Sequence, residues 1–148
     1  MKYREFMKKA KLNPKKFRTA FAFETELNEE VKINKEPANL NVYLILQGWK
    51  KTAVATMEEY LSMSDKFAAD GKFDIVLDGD GEPAVAIEMV DVRIMKFNEV
   101  PESFAVRDGE SQSLAEWRAL MKTMIEQQNV AFSPDMEIVC LDFRKIYP

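Results

Sequence analysis

The chain has 148 residues, 47% of them hydrophobic, and a formal net charge of −4. That is the length of one ordinary domain with its own core, and its acidity argues against non-specific adhesion to nucleic acid, so any RNA contact needs a local basic patch. There is no histidine, which excludes Ser-His-Asp and Cys-His nucleophile systems, His-based zinc sites and histidine acid–base pairs within one chain.

Residues 1 to 18 are strongly basic, with Lys2, Arg4, Lys8, Lys9, Lys11, Lys15, Lys16 and Arg18 against Glu5 alone. Tyr3, Phe6, Met7 and Ala10 recur at helical spacing, which predicts a short amphipathic helix ended by Asn13-Pro14. Two readings stand: an RNA-facing arm whose lysines release counterions from phosphates, and a docked terminal helix with solvated lysines. From Thr19 to Asn39 the charge balance reverses through Glu24, Glu26, Glu29, Glu30 and Glu36, with Phe17, Phe21 and Phe23 as apolar anchors. Asn34 to Pro37 reads as a loop.

Asn39 to Leu46 reads as a helix, and Gly48 supplies the left-handed residue at which helices commonly stop. Thr52 to Thr56 then alternates like a strand. Ser62 to Gly71 is expected to be a short helix or loop, and Phe73 to Leu77 a strand. Asp78-Gly79-Asp80-Gly81 predicts a tight hairpin turn. It lacks the oxygen-ligand spacing of a calcium loop, because Ala84 and Ala86 stand where ligands are needed. Ala84 to Phe97 alternates over a long strand, with a change of phase near Val90-Asp91 that suggests a bulge. A helical turn opens at Glu99 to Glu102 and leads to Ala105.

Ser113 is a plausible N-cap for a helix over Leu114 to Gln128, with Glu116 completing a capping box. Trp117, Leu120, Met121, Met124 and Ile125 form that helix's buried stripe. Glu137 to Ile146 is the final strand. It contains the single cysteine, Cys140, read as a buried structural thiol.

Three stretches carry a family resemblance: Gly48-Trp49-Lys50-Lys51-Thr52 after an apolar helix, Asp74 to Pro83 running into Ala84-Val85-Ala86-Ile87, and Ser113-Leu114-Ala115-Glu116-Trp117-Arg118 followed by Phe132 to Met136. In this order the chain resembles the ASCH domain, bacterial branch, over about residues 40 to 148. The resemblance implies an α+β fold, a PUA-like small β-barrel with flanking helices, and a link to RNA. The domain reading is one unit over 1–148, with 1–38 an N-terminal helical extension and 39–148 the barrel core.

Lys51 and Thr52 are the first candidates for chemistry. A lysine partly removed from water loses basicity and acts as a base near neutral pH; a neighbouring threonine hydroxyl attacks a carbonyl or holds an oxygen in place. In family members resembling amidohydrolases of acetylated cytidine, a Lys, a Thr and a Glu share this work. The matching acid is Glu110, with Asp108 as its rival. This chain inserts Lys50 between Gly48 and Lys51, and has Val54 and Thr56 where the hydrolase-like pattern carries an acid and an arginine. A Walker phosphate loop is excluded, since its upstream glycine spacing is missing. Tyr43, Trp49 and Tyr60 are candidates for stacking a base, with core or rim packing as the alternative for each.

These residues support three readings. The first is a binding module for single-stranded RNA or a modified nucleotide, in a cleft edged by Lys50, Lys51 and Trp49, with Tyr43 and Asp108 as further ligand-binding candidates. The second is a hydrolase of an acylated cytidine or of RNA using Lys51, Thr52 and Glu110. The third is an interaction protein whose basic arm binds an acidic partner. No cofactor or metal is expected. No apolar run reaches membrane-spanning length, and no apolar segment follows the basic N-terminus as a secretion signal requires, so a soluble, cytoplasmic protein is expected.

Overall fold

The structure, a computed structural model, describes residues 2–23, 26–27 and 31–148. Helix α1 (Lys2–Ala10) and a 3-10 turn at Pro14–Lys16 precede strand β1 (Phe17–Phe21), followed by two short strands, β2 (Glu26–Leu27) and β3 (Val31–Lys32). Of the acidic run read in this region, Glu24, Glu29 and Glu30 lie outside the described residues. Then come α2 (Lys35–Leu46), β4 (Thr52–Thr56), α3 (Met57–Ser62), β5 (Phe73–Leu77), β6 (Pro83–Lys96), α4 (Glu102–Ala105), α5 (Leu114–Gln127) and β7 (Glu137–Tyr147).

The five long strands form one sheet in the order β1-β5-β6-β7-β4; β2 and β3 pair antiparallel by themselves. β1 runs parallel to β5, and every other pairing in the main sheet is antiparallel. The expected closed barrel is therefore corrected: β1 and β4 end the sheet on opposite sides, and the described residues do not close it. Phenylalanines cluster along the β1 side of the seam. Phe21 meets Phe23 at 5.2 Å and Phe67 at 5.5 Å between ring centroids, both edge to face.

Local chemistry accounts for most element boundaries. Asp78 Oδ1 accepts from the amides of Asp80 (2.9 Å) and Glu82 (3.0 Å), folding the β5–β6 hairpin around a carboxylate. In β6 the register passes from Met89↔Phe143 to Asp91↔Asp142, leaving Val90 unpaired as the expected bulge. Ser113 Oγ accepts from the Glu116 amide at 3.1 Å, but the Glu116 carboxylate accepts from Gln112 rather than from Ser113, so half of the expected capping box forms. The full box sits at α3, where Thr56 and Glu59 cap one another. α2 starts four residues before the expected Asn39; Pro37 falls in its first turn, where the missing amide hydrogen costs no hydrogen bond.

The sheet is covered on both faces. One face packs Val42 and Ile45 of α2 against Ile87, Val139, Leu141 and Phe143. The other packs Trp117, Met121 and Ile125 of α5 against Ile138 and Cys140. A third cluster joins Met7 of α1 to Phe73, Ile75 and Ala86. Burial pushes the Cys140 thiol up to about 12, with the Arg93 charge opposing, as befits a structural thiol.

β5 is buried at every position, including Asp74. Arg18 Nε lies 3.3 Å from Asp74 Oδ1, and the same guanidinium donates to the carbonyls of Lys66 (2.8 Å) and Ala68 (3.1 Å) and to Asp70 Oδ1 (2.6 Å). Arg18 thus fastens the loop before β5 to strand β1. Burial raises the Asp74 carboxyl to about 7 from 3.8, against the pull of Arg18. Between those values the folded chain holds a proton that the unfolded chain has released, so stability falls as pH rises from about 4 to about 7, by roughly 4 kcal/mol at most. Thermal melts from pH 5 to pH 8 should show this loss in the wild type. Asp74→Asn should flatten it and melt higher than wild type at pH 8.

Candidate functional site

The site is assembled where α2 ends. Gly48 takes φ +80°, the Trp49 amide donates to the Leu44 carbonyl (3.0 Å) and the Gly48 amide to that of Ile45 (3.0 Å). This pair of bonds is a Schellman cap, which turns the chain sharply off the helix. The turn then lies against the loop over residues 105–111. The Lys51 amide donates to the Arg107 carbonyl (2.8 Å), and the Phe143 amide donates to the Lys51 carbonyl (3.0 Å). Gly109, at φ +82°, makes the approach feasible, since a Cβ there would stand 3.1 Å from the Lys50 nitrogen and the Trp49 carbonyl.

The candidate residues separate into two groups. Lys50 turns inward and is 5% exposed; its Nζ donates to the Asp108 carbonyl (3.2 Å) and stands 5.2 Å from the centroid of the Phe23 ring. Asp108, 1% exposed, accepts through Oδ1 from the amides of Glu110 (2.8 Å) and Ser111 (2.9 Å), and through Oδ2 from Ser111 Oγ (3.2 Å). Its carboxylate therefore shapes the loop that carries Glu110. Lys50, Asp108 and Glu110 line one small cavity of about 20 Å³ together with Asn41, Phe23 and Trp117, room for about one water.

The second group points elsewhere. Lys51 is exposed and lines neither this cavity nor its larger neighbour. Thr52 is fully buried, and its hydroxyl donates to the Phe104 carbonyl (3.2 Å). Tyr43 and Trp49 stand 50% and 56% exposed on the outer side of α2, packed edge to face at 6.0 Å. Tyr60 is half-buried, its hydroxyl directed at the Phe67 carbonyl (3.5 Å).

Beside this small cavity lies a larger one of about 630 Å³. It occupies the open seam between β1 and β4, walled by Phe21, Phe23, Met63 and Phe67 and edged by Glu58 and Glu59 of α3. Phe23, Ala53 and Val54 border both cavities. An apolar chamber with convergent polar groups at one end has the general form of a small-molecule site. Among the described residues no cluster of three or more His, Cys, Asp or Glu side chains is placed to hold a metal, and no helix is long and apolar enough to cross a membrane.

Sequence reasoning missed Asn41 and the phenylalanine wall. Asn41 is 2% exposed and donates through Nδ2 to the Pro37 carbonyl (2.8 Å). One signal was present: Asn41 shares a helical face with Ala38 and Ile45, an unexpected place for an amide. Nothing local distinguished Phe21 and Phe67 from ordinary core residues.

The ASCH domain family model matches residues 30–147. A crystal structure of an ASCH domain from Lactobacillus crispatus JV V101 superposes with a TM-score of 0.76 at 22% identity, covering 99% of this chain and 95% of its own. A protein of Enterococcus faecalis V583 superposes with a TM-score of 0.70 at 26% identity, covering 97% of this chain and 84% of its own. No curated protein matches the chain.

Gly109→Ala should lower the urea midpoint by the equivalent of about 1–3 kcal/mol, because it adds both positive-φ strain and a backbone contact. Gly109→Asn relieves only the φ term and should recover only part of the loss.

Proposed function

Because the chain belongs to the ASCH domain family, we propose that it binds RNA or a modified nucleotide in the seam between β1 and β4. The observation that carries this reading is the adjoining of a 630 Å³ apolar chamber to the polar corner of Lys50, Asn41, Asp108 and Glu110. A planar base fits such a chamber by packing on Phe21, Phe23 and Phe67, since every base has an apolar face. Its exocyclic amines and carbonyls then find an acceptor in Glu110 and donors in Asn41 and Lys50. A chamber bordered by Glu58 and Glu59 favours the base over the phosphate at that end. The phosphate side of the ligand suits the solvent-facing opening of the chamber, away from that acidic edge.

Hydrolysis by Lys51, Thr52 and Glu110 is the competing reading. It asks Thr52 to offer its hydroxyl to a substrate, yet that hydroxyl is buried and donates to Phe104. Binding is the function that this geometry supports best.

Calorimetric titration of cytidine and uridine monophosphates, acetylcytidine and a short single-stranded RNA tests the proposal, with turnover followed in parallel. Lys50→Met, which keeps the apolar stem, should weaken binding about 10- to 100-fold through loss of a charged hydrogen-bond donor. Lys51→Ala should weaken it only about 2- to 3-fold. Turnover that disappears in Lys51→Ala would overturn this reading in favour of the hydrolase.

A further inference from the structure

Eight of the chain's 21 Lys and Arg residues fall within the first 18 positions, where Glu5 is the only acid; the other 130 residues carry 13 cationic and 24 acidic side chains. The fold holds this basic segment rigidly. Phe6 packs edge to face on Tyr147 at 5.4 Å, Tyr3 meets Phe17 at 5.9 Å, and Met7 is buried. Lys2 Nζ donates to the Gly81 carbonyl at 2.6 Å. At the helix end Lys11 takes φ +57° and the Leu12 amide donates to the Met7 carbonyl (2.9 Å), reversing the chain. Asn13 then caps the Pro14–Lys16 turn by accepting from the Lys15 amide (3.1 Å). With every apolar side chain of α1 turned toward the protein, Arg4, Lys8, Lys9, Lys11, Lys15 and Lys16 are all exposed, and no described acid forms an ion pair with them.

We propose that α1 and the Pro14–Lys16 turn form a second binding face, which grips the phosphate backbone of single-stranded RNA without reading its bases. Taking RNA as the ligand rests on the function proposed above; the face itself lies outside the stretch matched by the family model, residues 30–147. Charge complementarity selects a polyanion, and the acidic remainder of the molecule confines it to this side. A membrane surface is disfavoured because the outward face offers no apolar side chain to insert among lipids. Position ties the face to the seam. β1 starts directly after Lys16 and leads to Phe21 and Phe23 at the chamber, a run of about 23 Å if fully extended. One RNA strand can therefore lay its phosphates along α1 and place a base in the chamber.

The test follows binding of a fluorescent 20-nucleotide oligouridine by anisotropy between about 50 and 300 mM salt. Each phosphate contact on a single strand contributes about 0.7 to the slope of log K against log salt. The variant Lys8→Gln/Lys9→Gln/Lys15→Gln/Lys16→Gln should lower the magnitude of that slope by about 2 to 3, and Lys15→Gln/Lys16→Gln by about half as much. Neither should change the melting temperature or the affinity for a mononucleotide, which is too short to reach α1. An unchanged slope in the fourfold variant overturns the proposal while leaving the chamber reading intact. Absence of mononucleotide binding with the slope effect present removes the chamber reading and keeps this one. Lysine-dependent binding to phosphatidylserine vesicles with no effect on the RNA slope overturns it in favour of a membrane.

Discussion

The contact between the turn after α2 and the loop over residues 105–111 is the constraint on which the candidate site depends. Two separate segments reach one another there because each supplies a left-handed glycine: Gly48 to leave the helix, Gly109 to make room for the Trp49–Lys50 backbone. Once they meet, the amide of Lys51 is bonded to Arg107, the hydroxyl of Thr52 to Phe104 and the ammonium of Lys50 to Asp108. A buried ammonium needs such partners, and the loop provides a carbonyl whose position is fixed by its own Asp108 carboxylate. Polar order in this corner thus follows from backbone geometry.

Two further arrangements set what lies around that corner. The sheet ends in β1 on one side and β4 on the other, and phenylalanines line the chamber between. Arg18 holds β1 and the preceding loop of β5 together through Lys66, Ala68 and Asp70, which positions Phe67 beside Phe21. The chamber wall is therefore supported by one guanidinium, through its bonds on either side of Phe67. Asp74, on the buried strand β5, faces the same guanidinium: burial raises its proton affinity, and the Arg18 charge opposes that rise.

Much of this was legible in the sequence where the signal was local. The Asp-Gly hairpin, the change of phase at Val90, the cap at Ser113 and the stripe from Trp117 to Ile125 each involve neighbours within a few residues, and each has its expected place. The three ASCH-like stretches gave the family from their order. The open seam was not legible, because it depends on Phe21, Phe23 and Phe67 meeting across the fold. Nor could alternation tell which of Lys50 and Lys51 turns inward. β4 is covered on both faces, so its side chains are buried or nearly so at every position, and period two carries no inside–outside information there. α2 begins within Asn34 to Pro37, which reads as a loop in the sequence, because a first-turn proline is compatible with the helix.

An unclosed sheet has a mechanical consequence. In a closed barrel the interior width is fixed by strand number and stagger, and widening it means breaking a ladder of backbone hydrogen bonds. Here the chamber lies where no ladder crosses the described residues, so its width is set by aromatic rings and a methionine. Rings and thioethers change rotamer in far less time, and at far lower cost, than strands separate. The width of the chamber can thus change while every hydrogen bond of the β5-β6-β7 framework stays in place.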